Sequence, residues 1–192
     1  MALLTIRQMG DEILTKKCKP VKAINKRILQ LADDMFETMY DAAGVGLAAP
    51  QVGVLKRMVV IDVTPDPEEG EELKEENMLR FCMINPEIIS ADGEQTDYEG
   101  CLSYAGMSGI VTRPDHVVVR FTDLNGDECE LEGTGLLARA ICHELDHLEG
   151  KMYVEKVEGK VITNEELAEI RRKEREAAAQ GGNAESGEGK AD

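Results

Sequence analysis

The sequence predicts a single α+β domain in which antiparallel β-sheets pack around one central helix, with a further helix at the C-terminus. Two observations support this prediction. Segments with the character of β-strands lie mostly before the central helix, instead of alternating with helices along the chain. The chain has 192 residues, so it can bury roughly 70% of its unfolded surface in one hydrophobic core.

The first half of the chain contains one helix and two strands. A helix is predicted over residues 25–41, where apolar side chains recur at helical spacing and stop before a glycine-rich loop. Residues 58–63 are a run of apolar and β-branched residues, which indicates a buried strand. Residues 64–77 are rich in proline and carboxylates and are typical of a solvated loop. A further strand over residues 81–89 is expected to be interrupted at Pro86.

The second half begins with a hairpin over residues 117–131. Its apolar and polar residues alternate on both sides of Asn125 and Gly126, a pair that is typical of hairpin turns. The central helix follows over residues 136–148. We expect it to end at Gly150, since glycine is preferred just after the last helical residue.

The C-terminal part of the chain forms a helix and a tail. The helix is predicted from 163 to 180, because Thr163 and Glu166 have the spacing of a capping box. Residues 181–192 are small and polar, and we expect them to be disordered. Residues 1–162 then form the main domain.

The composition excludes several classes of function. The net charge of -16 disfavours general DNA binding, which needs a basic surface, and three Phe and four Tyr without Trp argue against a base-stacking surface. No apolar run approaches the ~20 residues of a membrane helix, and the N-terminus lacks the apolar core of a signal peptide. Five cysteines without a CxxC pair fit a reducing compartment, so we expect a cytoplasmic protein.

The most informative stretch of the chain, residues 143–147, reads HELDH. On a helix its two histidines share one face, about 5 to 6 Å apart at Cβ, close enough to bind one metal ion. Glu144 lies beside that face and could transfer a proton in a hydrolytic reaction. A solvated helix face without metal is the simpler interpretation. However, Leu136 and Ala140 extend the same face as an apolar wall, which favours the floor of a pocket.

A catalytic zinc or iron site needs a third protein ligand. His116 is the remaining histidine, and its place beside a strand is more typical of a surface residue. Glu166 has the spacing of the third ligand in glutamate-liganded zinc peptidases, although the capping box with Thr163 is a simpler role. Cys101 follows a glycine that lets the backbone approach a ligand, although a cysteine is usually a small buried apolar residue. The residues alone leave the third ligand open.

Three motifs together give a specific resemblance. In order along the chain they are GVGLAAPQ at residues 44–51, EGCLS at 99–103 and HELDHL at 143–148. They resemble the motifs of peptide deformylases, and the similarity extends from the N-terminus through the helix after Thr163. The resemblance implies a metal-dependent hydrolase that removes the formyl group from the N-terminal formyl-methionine of a new polypeptide and releases formate.

The resemblance also implies how the metal is bound. Cys101, His143 and His147 would be its ligands, and Glu144 would be the general acid-base. The resemblance implies one ferrous ion per chain in cells, and zinc, nickel or cobalt can occupy the same ligands. A thiolate with two imidazoles suits iron and zinc alike, so the sequence does not choose between them.

Further roles follow for residues around the ligands. By resemblance, the side-chain amide of Gln51 and the backbone N–H of Leu102 stabilise the oxyanion, and Gly46 lets the substrate backbone approach. Glu99 and Arg113 are expected to pair behind the metal ligands. The expected walls of an apolar slot for methionine are Leu136 and Ala140, from the helix face, and Val45, from the resemblance.

The sequence departs from the family pattern at two places near the predicted site. Tyr104 and Ala105 stand where an aliphatic residue and proline are usual, which puts the rigidity of the Cys101 loop in doubt. Cys142 stands where glutamine is usual, and it offers the metal a competing thiol.

Other interpretations remain open at this point. A zinc peptidase would use Glu166 as the third ligand, whereas a metal-stabilised module on the ribosome would be no enzyme. The basic run at residues 171–175 is most simply a solvated helix face with ion pairs. By resemblance, the same helix could dock on ribosomal RNA.

Overall fold

The computed structural model describes residues 2–65, 74 and 77–181. Within these ranges the chain is α+β, as predicted, with three α-helices and eight strands. The helices are α1 (Lys26–Asp41), α2 (Gly135–Leu148) and α3 (Asn164–Gly181). The strands are β1 (Gly46–Ala48), β2 (Met58–Asp62), β3 (Arg80–Asp92), β4 (Gln95–Cys101), β5 (Tyr104–Arg113), β6 (His116–Thr122), β7 (Glu128–Thr134) and β8 (Glu158–Thr163).

The strands form two antiparallel sheets. The larger has the order β1-β2-β3-β6-β7, and the smaller has the order β4-β5-β8. Each neighbouring pair is antiparallel, in agreement with the prediction. Within the described ranges, none of the helices is both long and apolar enough to cross a membrane.

Strand β2 separates two hydrophobic cores. Val59 and Ile61 pack into the core that contains α2, whereas Met58 and Val60 pack into the core that contains α1. Because successive side chains of a strand point to opposite faces, both faces of β2 are covered. This double burial explains why its sequence is a continuous apolar run, and it places α2 against one face of the larger sheet.

The predicted break at Pro86 is wrong, because β3 continues through it from Arg80 to Asp92. Asn85 has a φ of 52°, and the pairing with β6 shifts register between Ile84 and Glu87. The Asn85 side chain accepts from the Val21 N–H at 2.8 Å and donates to the Val21 carbonyl at 2.9 Å. The proline therefore lies in a β-bulge, a position that strands tolerate.

The predicted ends of the helices agree with the structure. Gly150 follows α2 with a φ of 73°. The Thr163 N–H donates to Glu166 Oε2 at 2.8 Å, and the Glu166 N–H donates to Thr163 Oγ1 at 3.1 Å. The capping box is therefore confirmed. The expected tail beyond residue 181 lies outside the described residues.

Two of the predicted loops connect strands. Asn125 and Gly126 lie in the turn between β6 and β7, as predicted. Of the expected solvated loop at 64–77, most lies outside the described residues.

Four strands were absent from the prediction: β1, β4, β5 and β8. Strand β4 reads QTDYEGC and carries several polar residues, so it lacks a strong strand signal. It pairs with β5 in a hairpin whose connection follows Cys101. This hairpin delivers Cys101 to the neighbourhood of α2.

Candidate active site

Two elements bring three potential metal ligands together. Helix α2 carries His143 and His147 one turn apart, and Cys101 ends strand β4. One ligand atom from each residue lies within 4.8 Å of the others. Cys101 Sγ is 3.2 Å from His147 Nε2.

The chemistry of these donors fits a divalent metal ion. Because a carboxylate only accepts, His143 Nδ1 donates to Glu99 Oε2 at 3.0 Å and leaves its Nε2 to bind a metal. Burial lowers the pKa of His147 well below its usual value, so its ring is neutral, the form that binds metals. Its buried Nδ1 has no hydrogen-bond partner within the described part of the chain. Two imidazoles and one thiol are the number and kind of protein donors that a catalytic zinc or iron site requires.

Glu99 is a buried carboxylate with charged donors on both of its oxygens. Oε1 accepts from Arg113 Nε at 2.9 Å and from Arg139 Nη1 at 2.8 Å. Oε2 accepts from Arg113 Nη2 at 2.9 Å and from His143. Burial would raise the pKa of Glu99, but the hydrogen bonds from His143 and Arg113 lower it to about 2. Glu99 is therefore an anion that fixes the orientation of His143.

Glu144 is a buried carboxylate beside the ligands. Burial raises its pKa to about 7, although the nearby His143 opposes this shift. Its Oε2 has no hydrogen-bond partner among the described residues. A carboxyl group with a pKa near neutrality can both accept and return a proton, which is the requirement for general acid-base catalysis.

Gly46 of β1 lies directly against Glu144. A Cβ atom built on Gly46 would be 2.4 Å from Glu144 Oε1 and 2.9 Å from its Cδ. Real side chains do not approach this closely, so glycine leaves the space that the Glu144 carboxylate occupies.

The side chain of Gln51 is held at both ends. Gln51 lies in a short 3-10 turn after β1, and its Oε1 accepts from the Ala48 N–H at 2.8 Å. Its Nε2 donates to Ser103 Oγ at 3.1 Å and lies 3.5 Å from Cys101 Sγ. The amide nitrogen therefore faces the cysteine.

A cavity of about 640 Å³ opens beside these residues. Its lining includes Gly46, Gln51, Cys101, Leu102, His143 and Glu144. Val45, Leu136 and Ala140 also line it; Val45 is 46% exposed, Leu136 56% and Ala140 5%. The first two thus lie at the mouth of the cavity, and Ala140 lies deeper.

Three residues considered as ligands or competitors lie elsewhere. His116 contacts Asp92 at 3.0 Å on the larger sheet, and Glu166 belongs to the capping box of α3. The expectation that Cys142 offers a competing thiol is wrong. Its side chain is buried in the core with Cys18, where burial raises the pKa of its thiol.

The departures Tyr104 and Ala105 lie at the turn that follows Cys101. Tyr104 pairs with Cys101 across the hairpin, and Ala105 lines the cavity. Ser103, which lies between Cys101 and Tyr104 along the chain, is fully buried, and its carbonyl accepts from the Met9 N–H at 2.7 Å. The turn is therefore held by contacts outside the hairpin, without the usual proline.

Three residues that contact the predicted site were missed from the sequence. Ser103 holds Gln51, Arg139 bonds Glu99, and the Tyr153 ring stacks on His143 with centroids 5.9 Å apart. Arg139 did carry a signal, because an arginine inside an apolar helix segment must find a buried partner. Ser103 ends the EGCLS motif but was given no role of its own, and Tyr153 carried no signal.

Comparison with known proteins decides the family. Residues 3–161 match the family model described as polypeptide deformylase. The chain belongs to this family. Family members remove the N-formyl group from newly made proteins with the help of a metal ion. The activity and the enzyme class predicted from the three motifs are therefore confirmed.

Relatives and solved structures agree with this assignment. The peptide deformylase of Agathobacter rectalis is 55% identical over 88% of this chain and 100% of its own, and that of Lachnoclostridium phytofermentans is 56% identical over 84% and 93%. Among crystal structures, the deformylase of Ehrlichia chaffeensis in complex with actinonin has a TM-score of 0.74 and 38% identity, covering 82% of this chain and 90% of that one. The deformylase of Legionella pneumophila has a TM-score of 0.72 and 39% identity, covering 94% and 98%.

Proposed function

We propose that Cys101, His143 and His147 bind the metal ion with which this deformylase hydrolyses the formyl amide of an N-terminal formyl-methionine and releases formate. The observation that carries the proposal is the convergence of their three ligand atoms within 4.8 Å, beside the buried carboxylate of Glu144. The substrate is a polypeptide leaving the ribosome, so we place the protein in the cytoplasm.

We propose ferrous iron, one ion per chain, as the ion bound in cells. One thiolate with two imidazoles is a ligand set of intermediate softness, which suits ferrous iron and also accepts zinc, nickel or cobalt. When bound, such an ion would lower the pKa of a water molecule toward about 7 and would polarise the formyl carbonyl.

Glu144 is the general acid-base of the proposed mechanism. It accepts a proton from the water that attacks the formyl carbon, and it then donates a proton to the leaving amine. A pKa of about 7, raised by burial, allows both transfers near neutral pH. The unpartnered Oε2 is the atom available to the water.

Gln51 and Leu102 are the proposed donors to the oxyanion that forms during the attack. The Gln51 amide is held with its nitrogen toward Cys101, and the backbone N–H of Leu102 follows the same cysteine. Loss of one donor of this kind typically costs about 2.7 to 4 kcal/mol of activation free energy.

The remaining proposed roles concern substrate and ligand orientation. Val45, Leu136 and Ala140, which line the cavity, are the proposed walls of the methionine slot. Gly46 lets the substrate backbone approach β1 and offers a main-chain hydrogen bond. Glu99 and Arg113 hold the His143 ring from behind.

We propose residues 1–162 as the catalytic unit and residues 163–180 as a helix that docks on the ribosome. Helix α3 carries an exposed basic run in a chain of net charge -16. Arg171, Arg172 and Arg175 line one groove along it. Ribosomal RNA is the partner that fits this charge.

The mechanism is tested by replacing Glu144. In Glu144→Ala and Glu144→Gln, we expect formate release from a formyl-Met peptide to fall by at least about 100-fold, because the water and the amine lose their proton carrier. Metal content is measured on the same samples. The control is Glu130→Ala, which replaces an exposed glutamate paired with Arg120. We expect this variant to keep full activity. Near-normal turnover by either Glu144 variant with metal retained contradicts the assigned role.

A further inference from the structure

Arg139 is a buried arginine on the helix that carries the metal-binding histidines. Its side chain is 8% exposed, and it lies one turn before His143 on α2. A buried guanidinium is costly unless charged or polar partners surround it. The bonds that satisfy Arg139 therefore indicate what it does.

Those bonds join three elements of the site. Nη1 donates to Glu99 Oε1 at 2.8 Å and to the Val111 carbonyl at 3.0 Å, and Nη2 donates to the Gln95 carbonyl at 3.1 Å. Gln95 and Glu99 belong to β4, and Val111 belongs to β5. One side chain of α2 thus ties the helix to the hairpin that carries Cys101.

The charge of Arg139 is directed at Glu99. The neighbouring Arg113 divides its donors between Glu99 and Asp146, and Asp146 also accepts from Lys156 at 2.9 Å. Within the described residues, Glu99 is the carboxylate that Arg139 bonds. Without Arg139, Oε1 of Glu99 would keep one donor, and the carboxylate could turn about its remaining bonds.

We propose that Arg139 is a positioning residue of the metal centre. It fixes the Glu99 carboxylate that orients His143, and it fixes the spacing between the helix with two ligands and the strand with the third. This inference rests on the proposed Cys101, His143 and His147 site. Its effect should appear in how long the metal is retained and in the geometry of its ligands.

Lysine is a poor substitute at this position. Three bonds in different directions use the planar fork of the guanidinium, whereas an ammonium group is a compact point charge on a flexible stem. Arg139→Lys keeps the charge beside Glu99 but not the bonds to both strands. Arg139→Gln loses the charge as well.

To test this inference, the full-length protein is loaded with cobalt, and the rate at which cobalt is released to a chelator is measured. We expect Arg139→Lys to release cobalt about 10-fold faster than wild type, and Arg139→Gln up to about 100-fold faster, the range found when residues behind metal ligands are replaced. The visible absorption of the bound cobalt should shift in both variants, because the ligand geometry changes. A lower stability of the folded protein would not by itself shift the cobalt absorption.

Arg57→Gln is the matched control. Arg57 is also a partly buried arginine. It donates to the carboxylate of Glu149, just after α2, and to the main-chain carbonyl of Pro86. It touches no proposed ligand. We expect this variant to lose stability while its cobalt spectrum and release rate stay within about twofold of wild type.

Release within twofold of wild type and an unchanged spectrum in both Arg139 variants would overturn the inference. Should Arg139→Gln fail to fold, Arg139→Lys decides by the same criterion. A wild-type protein that binds no stoichiometric cobalt would instead refute the proposed metal centre, so the two failures are distinguishable.

Discussion

Gly46 and Glu144 show how closely single residues are fitted in this site. The Glu144 carboxylate occupies the space where a side chain at Gly46 would begin. Glycine is needed here because the Glu144 carboxylate approaches the backbone closely. The φ of Gly46 is not in the left-handed region, so backbone strain is not the reason. The position of the proposed general acid-base therefore depends on a residue that has no functional group.

Replacing Gly46 with alanine should displace the Glu144 carboxylate, because the new Cβ would lie 2.4 Å from Oε1. Since a shift of about 1 Å at a reacting group can lower the rate about 100-fold, we expect a loss of that order in kcat/KM. The measurement is formate release per folded molecule, with metal content and Tm recorded alongside.

Gly109→Ala is the control for this substitution. A Cβ on Gly109 would lie 2.6 Å from Val157 Cγ2, a comparable overlap that does not involve Glu144. We expect it to lower Tm and leave the activity of the folded protein near that of wild type. Equal losses of activity in both variants would mean that Gly46 acts through stability alone.

At this scale the residues alone predicted the histidine pair, but not the long-range bonds from Ser103 and Arg139 that hold Gln51 and Glu99. The i,i+4 spacing of His143 and His147 is local, so the shared helix face follows from helix geometry. The hydrogen bond that Gln51 donates to Ser103 spans 52 residues, and the one that Arg139 donates to Glu99 spans 40. Contacts of that sequence separation depend on how the strands pair, which local patterns do not encode.

Helix α2 and the hairpin of β4 and β5 form the site together. The helix was predictable because its apolar positions and its terminal glycine are strong local signals. The hairpin was not, because β4 is polar and half-exposed. Cys101 was therefore linked to the histidines through the resemblance of three motifs.

Helix α3 packs on the domain through few of its residues, and its packing does not indicate its function. Leu167 is buried, whereas Arg171, Arg172, Lys173 and Arg175 are exposed. Asn164 at its start accepts from Ser108 Oγ at 2.8 Å and lines the cavity. Removal of the whole helix would thus disturb the site, so a test of ribosome docking should change charge and not length.

Reversing three charges, in Arg172→Glu, Lys173→Glu and Arg175→Glu together, should weaken cosedimentation with ribosomes. The salt dependence of binding should flatten by roughly one unit of slope for each lost phosphate contact. Activity on a free formyl-Met peptide should be unchanged.

The control for α3 reverses the same number of exposed charges at Lys22, Lys26 and Arg27, around the start of α1. It has the same net charge as the α3 variant. If the α3 variant and the α1 variant cosediment with ribosomes to the same extent, α3 has no specific role in docking.

For the whole molecule, the fold class could be predicted from the sequence, but the order of the strands in the sheets could not. Periodicity and element order indicated an α+β domain with antiparallel sheets, and the structure has them. The division into sheets of five and three strands depends on long-range pairing, for example of β3 with β6. Four strands carried too weak a pattern to be predicted at all.

At the same scale, the chain is a deformylase, and we propose that Cys101, His143 and His147 form its metal centre. The alternative zinc-peptidase ligand, Glu166, lies in the capping box of α3. The two ligand sets make opposite predictions for two single substitutions. Each variant is therefore the control for the other.

The most direct measurement is the metal content of anaerobically purified protein together with its formate release, for wild type, Cys101→Ser and Glu166→Gln. We predict about one ion per chain and full activity in wild type and Glu166→Gln. Cys101→Ser should lose most of both, because a hydroxyl is a poor substitute for a thiolate ligand. Metal and activity retained in Cys101→Ser but lost in Glu166→Gln would contradict the proposed Cys101, His143 and His147 centre.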